Sequence, residues 1–361
     1  MVLLPTSLML LMTFLNTILL PNTWVYTLNI SSSTVSQFEL TKQHNSQRNF
    51  FLARILSGHS VVAMTQDGQS VAGVTHNNKI TLWDVKTGGE IRTLAGHSLP
   101  ILSLAMSPNG QLLASAGHDK TIKIWNLQTG KVVRTLVGHT EWVEAIAFSP
   151  NGQTLVSAGG DKTIKVWELK TGILRNTLIG HLDSIYSVAL SPNGDTLATG
   201  SWDVIKLWNL STNKEIRTLS SPTFGTNSLV FSLDGRTLVT AGGDNTINVW
   251  HLNTDTHPRT LRGHAAGVSS VILTPDGQTL ISSSLDNTIK LWNLNSGEEL
   301  RSFPRQPSIV ESISLSPDGQ TLASGGWGNI IKLWNLSTGE EMRTLSNPGE
   351  LGVGSSERGR G

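Results

Sequence analysis

The stretches TIKIW at 121–125, TIKVW at 163–167 and TIKLW at 288–292 carry the reading of the fold. Each alternates in polarity and ends on a tryptophan, the pattern of a strand with one buried face. Working outward from them, tryptophan recurs at 83, 125, 167, 208, 250, 292 and 334, in steps of 42 residues except for one of 41. A fixed period of that length sets the architecture before any local element is assigned.

Two further columns keep the same phase. The turn Ser-Pro-Asn-Gly or a variant stands at 107–110, 149–152, 191–194, 274–277 and 316–319, and Gly-His pairs begin at 58, 96, 138, 180 and 263. In the second repeat Leu102, Leu104 and Met106 alternate with the smaller Ser103 and Ala105. Proline then presets φ for a type I turn and glycine tolerates its exit, so the strand over 112–116 returns antiparallel. Strands over 121–127 and 131–136, joined by Gln128-Thr-Gly130, complete four strands per period. One such sheet buries too little to stand alone, whereas stacking seven in a closed ring buries both faces of each. The expected fold is all-β, a seven-bladed β-propeller with four antiparallel strands per blade over residues 50–345. Residues 1–49 then form an apolar segment and polar linker, and 346–361 a disordered tail.

These columns resemble the WD-repeat family, whose unit opens near Gly-His and closes near Trp-Asp. Only the first repeat ends in a literal Trp-Asp (Trp83, Asp84); Asn126, Glu168, Asn209, His251, Asn293 and Asn335 follow the other tryptophans. The wording SPDGQTLAS at 316–324 is similar to bacterial members. That resemblance implies a sensing or signalling module that holds a protein or peptide partner.

It also implies a hydrogen-bonded chain of four side chains in repeats 2, 3, 4 and 6: His97, Ser115, Asp119, Trp125; His139, Ser157, Asp161, Trp167; His181, Thr199, Asp203, Trp208; and His264, Ser282, Asp286, Trp292. Four periodic copies without a G-x-S-x-G elbow argue for a scaffold device and against a hydrolase triad. Repeat 1 has Gly73 and Asn77 in these columns, repeat 5 has Pro222, repeat 7 has Gln306 and Gly328, and repeat 4 is one residue short after Asp203. Arg54, Arg92, Arg134, Arg217, Arg259, Arg301 and Arg343 recur on the outermost strand. There they are expected to guard exposed edges against pairing. Both Arg54–His59 and 341–345 read as outer strands, and in the family the N-terminal one closes the ring, so it is expected in blade 7.

Composition narrows the chemistry. The formal net charge is +1, from 27 basic and 26 acidic side chains, so no summed field attracts nucleic acid. There is no cysteine, hence no disulfide and no thiolate metal site; neither a metal nor any other cofactor is expected. Residues 1–20 hold 14 apolar side chains, and no charge precedes Glu39. They are read as a membrane anchor or signal-like segment, or else as a detached linker or misassigned start. A cytoplasmic monomer is expected, with a membrane-anchored interaction module as the alternative.

What varies between repeats marks the functional face. Outside the periodic seven, Trp142, Trp202 and Trp327 fall in loops after Gly-His or before the Asp column, as do His118, Glu141, Asp183, Tyr186, Phe224 and Leu285. Exposed aromatics at loops resemble interface hot spots. The expected function is therefore a non-catalytic platform for a protein or peptide. The alternative is a propeller hydrolase using Glu141 and Asp183 as its acid pair.

Overall fold

The computed structural model describes residues 61–220, 225–254, 256–328 and 330–346. They form 28 strands in seven sheets, each of four consecutive antiparallel strands. Inner strands of successive blades are neighbours, and that of blade 1 (Val62–Met64) meets that of blade 7 (Val310–Leu315), which closes the ring. The chain is an all-β seven-bladed propeller.

Blade 3 shows how the sequence builds one sheet, from Val143–Phe148, Thr154–Gly159, Thr163–Glu168 and Leu174–Ile179. In its first turn the Ser149 hydroxyl donates to Asn151 Oδ1 at 2.7 Å and accepts from Thr154 N at 3.0 Å. The residue after five of the periodic tryptophans caps the last turn: Asp84, Asn126, Asn209, Asn293 and Asn335 accept amides three residues on at 2.6–2.9 Å. A short side-chain acceptor serves as well from Asn as from Asp, which accounts for the loss of the literal Trp-Asp.

Each periodic tryptophan packs backwards. Trp167 is 2 % exposed and joins Leu155 and Val143 of its own blade to Ala114, Ile122, Ile124 and Leu136 of blade 2. Seven such clusters replace a single central core. Burial of this size contributes about 1.5–3 kcal/mol for each large side chain, so every blade depends on its predecessor.

The last place in blade 7 is taken by Glu341–Leu345 of its own repeat, with Leu333 opposite Arg343, and not by the N-terminal strand. A tight turn after Asn335 delivers that strand locally, whereas an N-terminal strand closes a loop round the whole ring at greater entropic cost. Arg54–His59 lies outside the described residues. Blades 1 and 7 are joined instead by Val62 N to Ser312 Oγ (3.2 Å), Met64 N to Ser314 Oγ (2.9 Å) and a shared apolar cluster.

Five of the outer-strand arginines clamp the neighbouring blade, and Arg54 lies outside the described residues. Arg134 donates to Lys170 O at 2.7 Å and Thr171 O at 2.8 Å, the last turn of the next blade. Arg217, Arg259, Arg301 and Arg343 do the same, and Arg343 crosses the seam to Lys86 O at 3.0 Å. A Cβ on Gly172 would lie 2.5 Å from Arg134 Cδ, and its φ is +78°, so glycine is required twice over. Only blade 3 has no arginine in this column: Asn176 stands there, and the turn it faces, in blade 4, carries Asn213 in place of glycine.

Candidate interaction face

Antiparallel order within each blade puts the loop entering it and the turn between its second and third strands at one end of the ring. Both variable columns of the sequence are thus on one face. Beneath this face run the hydrogen-bonded chains.

In blade 3, Trp167 Nε1 donates to Ser157 Oγ at 2.8 Å, Ser157 Oγ meets His139 Nε2 at 2.7 Å, and His139 Nδ1 meets Asp161 Oδ2 at 2.8 Å. An ionised carboxylate can only accept, which puts the imidazole proton on Nδ1 and leaves Nε2 to accept from the serine hydroxyl. Asp161 also accepts from Thr140 N at 3.0 Å and from the Thr163 amide and hydroxyl. Blade 2 (Trp125, Ser115, His97, Asp119) and blade 6 (Trp292, Ser282, His264, Asp286) repeat the chain. Burial of Asp119 opposes its ionisation, but hydrogen bonds from His97 and Thr121 outweigh this and hold its carboxyl down to about 2. The same balance places Asp161 and Asp286 lower still.

Blade 4 breaks the pattern. Trp208 Nε1 donates to Thr199 Oγ1 at 2.9 Å and Thr199 Oγ1 meets His181 Nε2 at 2.7 Å, but His181 Nδ1 is buried with no partner. Asp203, expected to complete the chain, is exposed instead. The missing residue is the cause. In blades 2 and 3 the Asp is followed by a lysine at φ +63°, within a three-residue turn; in blade 4 Gly200 pairs with Ile205, leaving only Trp202 and Asp203 between Ser201 and Val204. Burial, and next the Lys206 charge, lower the His181 pKa to about 4.

The face itself is richest over blades 2 to 4. The His118 ring lies 5.8 Å from that of Trp142, tilted by 45°, so the pair spans two blades. A Cβ on Gly160 would come within 2.7 Å of the Trp142 indole, which therefore lies flat over that turn. Glu141, about half exposed, stands 3.7 Å from Lys120. Asp183 is exposed and accepts from Ser184 N at 2.7 Å, while Tyr186 is half-buried and Trp202 is 37 % exposed. Trp327 is not brought to this group: it sits on blade 7, across the ring, and donates to Glu311 Oε1 at 3.2 Å. Leu285 is on blade 6, and Phe224 lies outside the described residues.

Sequence reasoning missed three features. Lys120 Nζ reaches Thr140 O at 2.6 Å and Lys162 Nζ reaches Leu182 O at 2.8 Å, each fixing the loop of the following blade; the signal was a long polar residue just after the Asp column. Leu182, 84 % exposed, is the most exposed of the large apolar residues on this face. Glu144, only 3 % exposed, is a buried acid on the inner strand of blade 3. Among the described residues, no His, Cys, Asp or Glu group could hold a metal ion, and no helix is long and apolar enough to cross a membrane; residues 1–20 lie outside them.

Periodic blades, indole-anchored hydrogen-bond chains and one loop-rich face define a repeat propeller whose variable surface lies on a constant frame. The family described as WD domain, G-beta repeat matches residues 88–126, 130–168, 172–209, 213–251, 256–293 and 297–335. These matches span more than half the chain, which belongs to the WD-repeat family; such propellers generally act as protein-interaction scaffolds. The first three strands of the first blade, up to Asp84, lie before the matched stretches. Its His59 stands six residues before Thr65, where His97, His139, His181 and His264 stand ten before Ser107, Ser149, Ser191 and Thr274. No curated protein matches the chain.

Proposed function

We propose that the chain is a non-catalytic scaffold that binds a protein or peptide across the loop face of blades 2 to 4. The observation that carries it is the His118–Trp142 pair bridging two blades beside exposed Leu182 and Trp202. Rigid aromatics on a fixed frame lose little entropy on binding and dominate interface energies. Glu141 and Asp183, the acid pair of a hydrolase reading, are engaged with Lys120 and the Ser184 amide in their own neighbourhoods, which supports the non-catalytic function. Affinity capture with the intact propeller, compared with the Trp142→Ala/Trp202→Ala variant, tests it. Loss of a specific partner with a retained thermal transition is the expected result; undiminished capture would exclude this surface.

A further inference from the structure

The blade 4 chain stops at His181, where three sibling blades continue to an aspartate. In blades 2, 3 and 6 one carboxylate oxygen takes two donors, the histidine Nδ1 at 2.8–3.0 Å and the next residue's amide, Ser98, Thr140 or Ala265, at 2.8–3.1 Å. In blade 4 the matching ring nitrogen and backbone amide remain. His181 is 5 % exposed, its Nε2 is held by Thr199, and its Nδ1 has no acceptor. The Leu182 loop is fixed by Lys162, as the blade 3 loop is by Lys120. The cradle keeps its supports while its carboxylate has left.

We propose that this cradle is a carboxylate-binding site: an aspartate or glutamate side chain of a partner protein takes the place that Asp119, Asp161 and Asp286 fill in their own blades, accepting from His181 Nδ1 and the Leu182 amide. A buried orphan donor is costly, and a charged acceptor gives the stronger class of hydrogen bond. Desolvation of the incoming charge is offset by two donors and by the Lys162 ammonium, 2.8 Å from Leu182 O. The cradle's outer rim carries exposed Leu182 and Trp202, which suit an acidic side chain set among apolar neighbours. Only the assignment to a protein partner rests on the function proposed above; the carboxylate preference rests on the sibling blades.

The test uses N-acetyl-aspartate amide, with sodium chloride as the ionic control, on the full chain and on a variant with one lysine inserted between Asp203 and Val204. The insertion restores the three-residue turn of blades 2 and 3, so Asp203 fills the cradle from within. Expected are saturable shifts of the His181 ring nitrogens and the Leu182 amide in the natural chain, weaker by about tenfold or more in the insertion variant. A His181→Phe variant, which keeps the ring and removes the donor, is expected to show no binding should the insertion disturb folding. Equal responses in all three proteins, or none in the natural chain, would overturn the site. Because no protein partner is used, this outcome is independent of the Trp142/Trp202 capture experiment.

Discussion

Blades 3 and 4 are adjacent, share their strand pattern and differ in length by one residue, yet one holds a complete polar chain and the other a broken one. In blade 3 the lysine after Asp161 adopts a left-handed conformation, and Asp161 turns inward to four donors. In blade 4 that residue is absent, Asp203 is exposed and His181 Nδ1 has no partner. The Arg134 clamp on the blade 3 turn likewise has no counterpart at the blade 4 turn, where Asn176 and Asn213 replace Arg and Gly.

The largest expected effect separates the two histidine environments by pH. His181 titrates at about 4 when folded, lowered from 6.5 by burial first. Its folded pKa is depressed, so between these values the unfolded chain binds more protons and stability falls as pH falls. The stabilisation is complete above about pH 6.5, and about 3 kcal/mol is lost by about pH 4. Urea denaturation across that window should show this slope, and His181→Gln should flatten it; an unchanged slope would mean that His181 is protonated without penalty. Below that window Asp119 takes over. With its folded pKa held down to about 2, the carboxylate contributes about 2 kcal/mol above pH 4, lost as pH falls through 2.

Next in size is the direct contrast of the two aspartates. Asp161→Ala strands His139 Nδ1 and the Thr140 amide and is expected to cost about 1–3 kcal/mol. Asp203→Ala removes an exposed side chain outside the chain of bonds, and a change within about 0.5 kcal/mol is expected. Similar losses for both in chemical denaturation would mean that blade 4 is wired like its siblings.

Much of this was legible in the sequence because it is written seven times. The Trp column and the Pro-Gly turns specify strand number, register and ring closure through local chemistry, without any long-range contact being known. The polar chains of blades 2, 3 and 6 were legible for the same reason. Asp203 was not, since a residue's type does not reveal which way a shortened turn points it. The closing strand was misread because Arg54–His59 and 341–345 carry the same local signals, and only the local hairpin after Asn335 decides between them. The arginine clamps were hidden too, because an outer-strand charge reads as solvated until the next blade's turn is seen beneath it. Trp142 and His118 stand 24 positions apart in sequence, and only the stacking of blades makes them a pair.

The smallest effects concern those clamps and sharpen the contrast by construction. Arg134→Ala removes two donors to the carbonyls of Lys170 and Thr171 at the rim and is expected to cost about 1–2 kcal/mol, discounted for exposure. The reverse experiment builds what blade 4 lacks. Asn176→Arg alone meets the Cβ of Asn213 where blades 1, 2, 3, 6 and 7 have glycine, so it should be neutral or slightly destabilising. Combined with Asn213→Gly, whose φ of +58° glycine adopts freely, it should raise stability by about 0.5–1 kcal/mol. A double-mutant cycle measures the coupling. A positive coupling identifies arginine and glycine as one device shared between neighbouring blades; strict additivity would show that the two columns recur independently and that the clamp geometry contributes nothing to the ring.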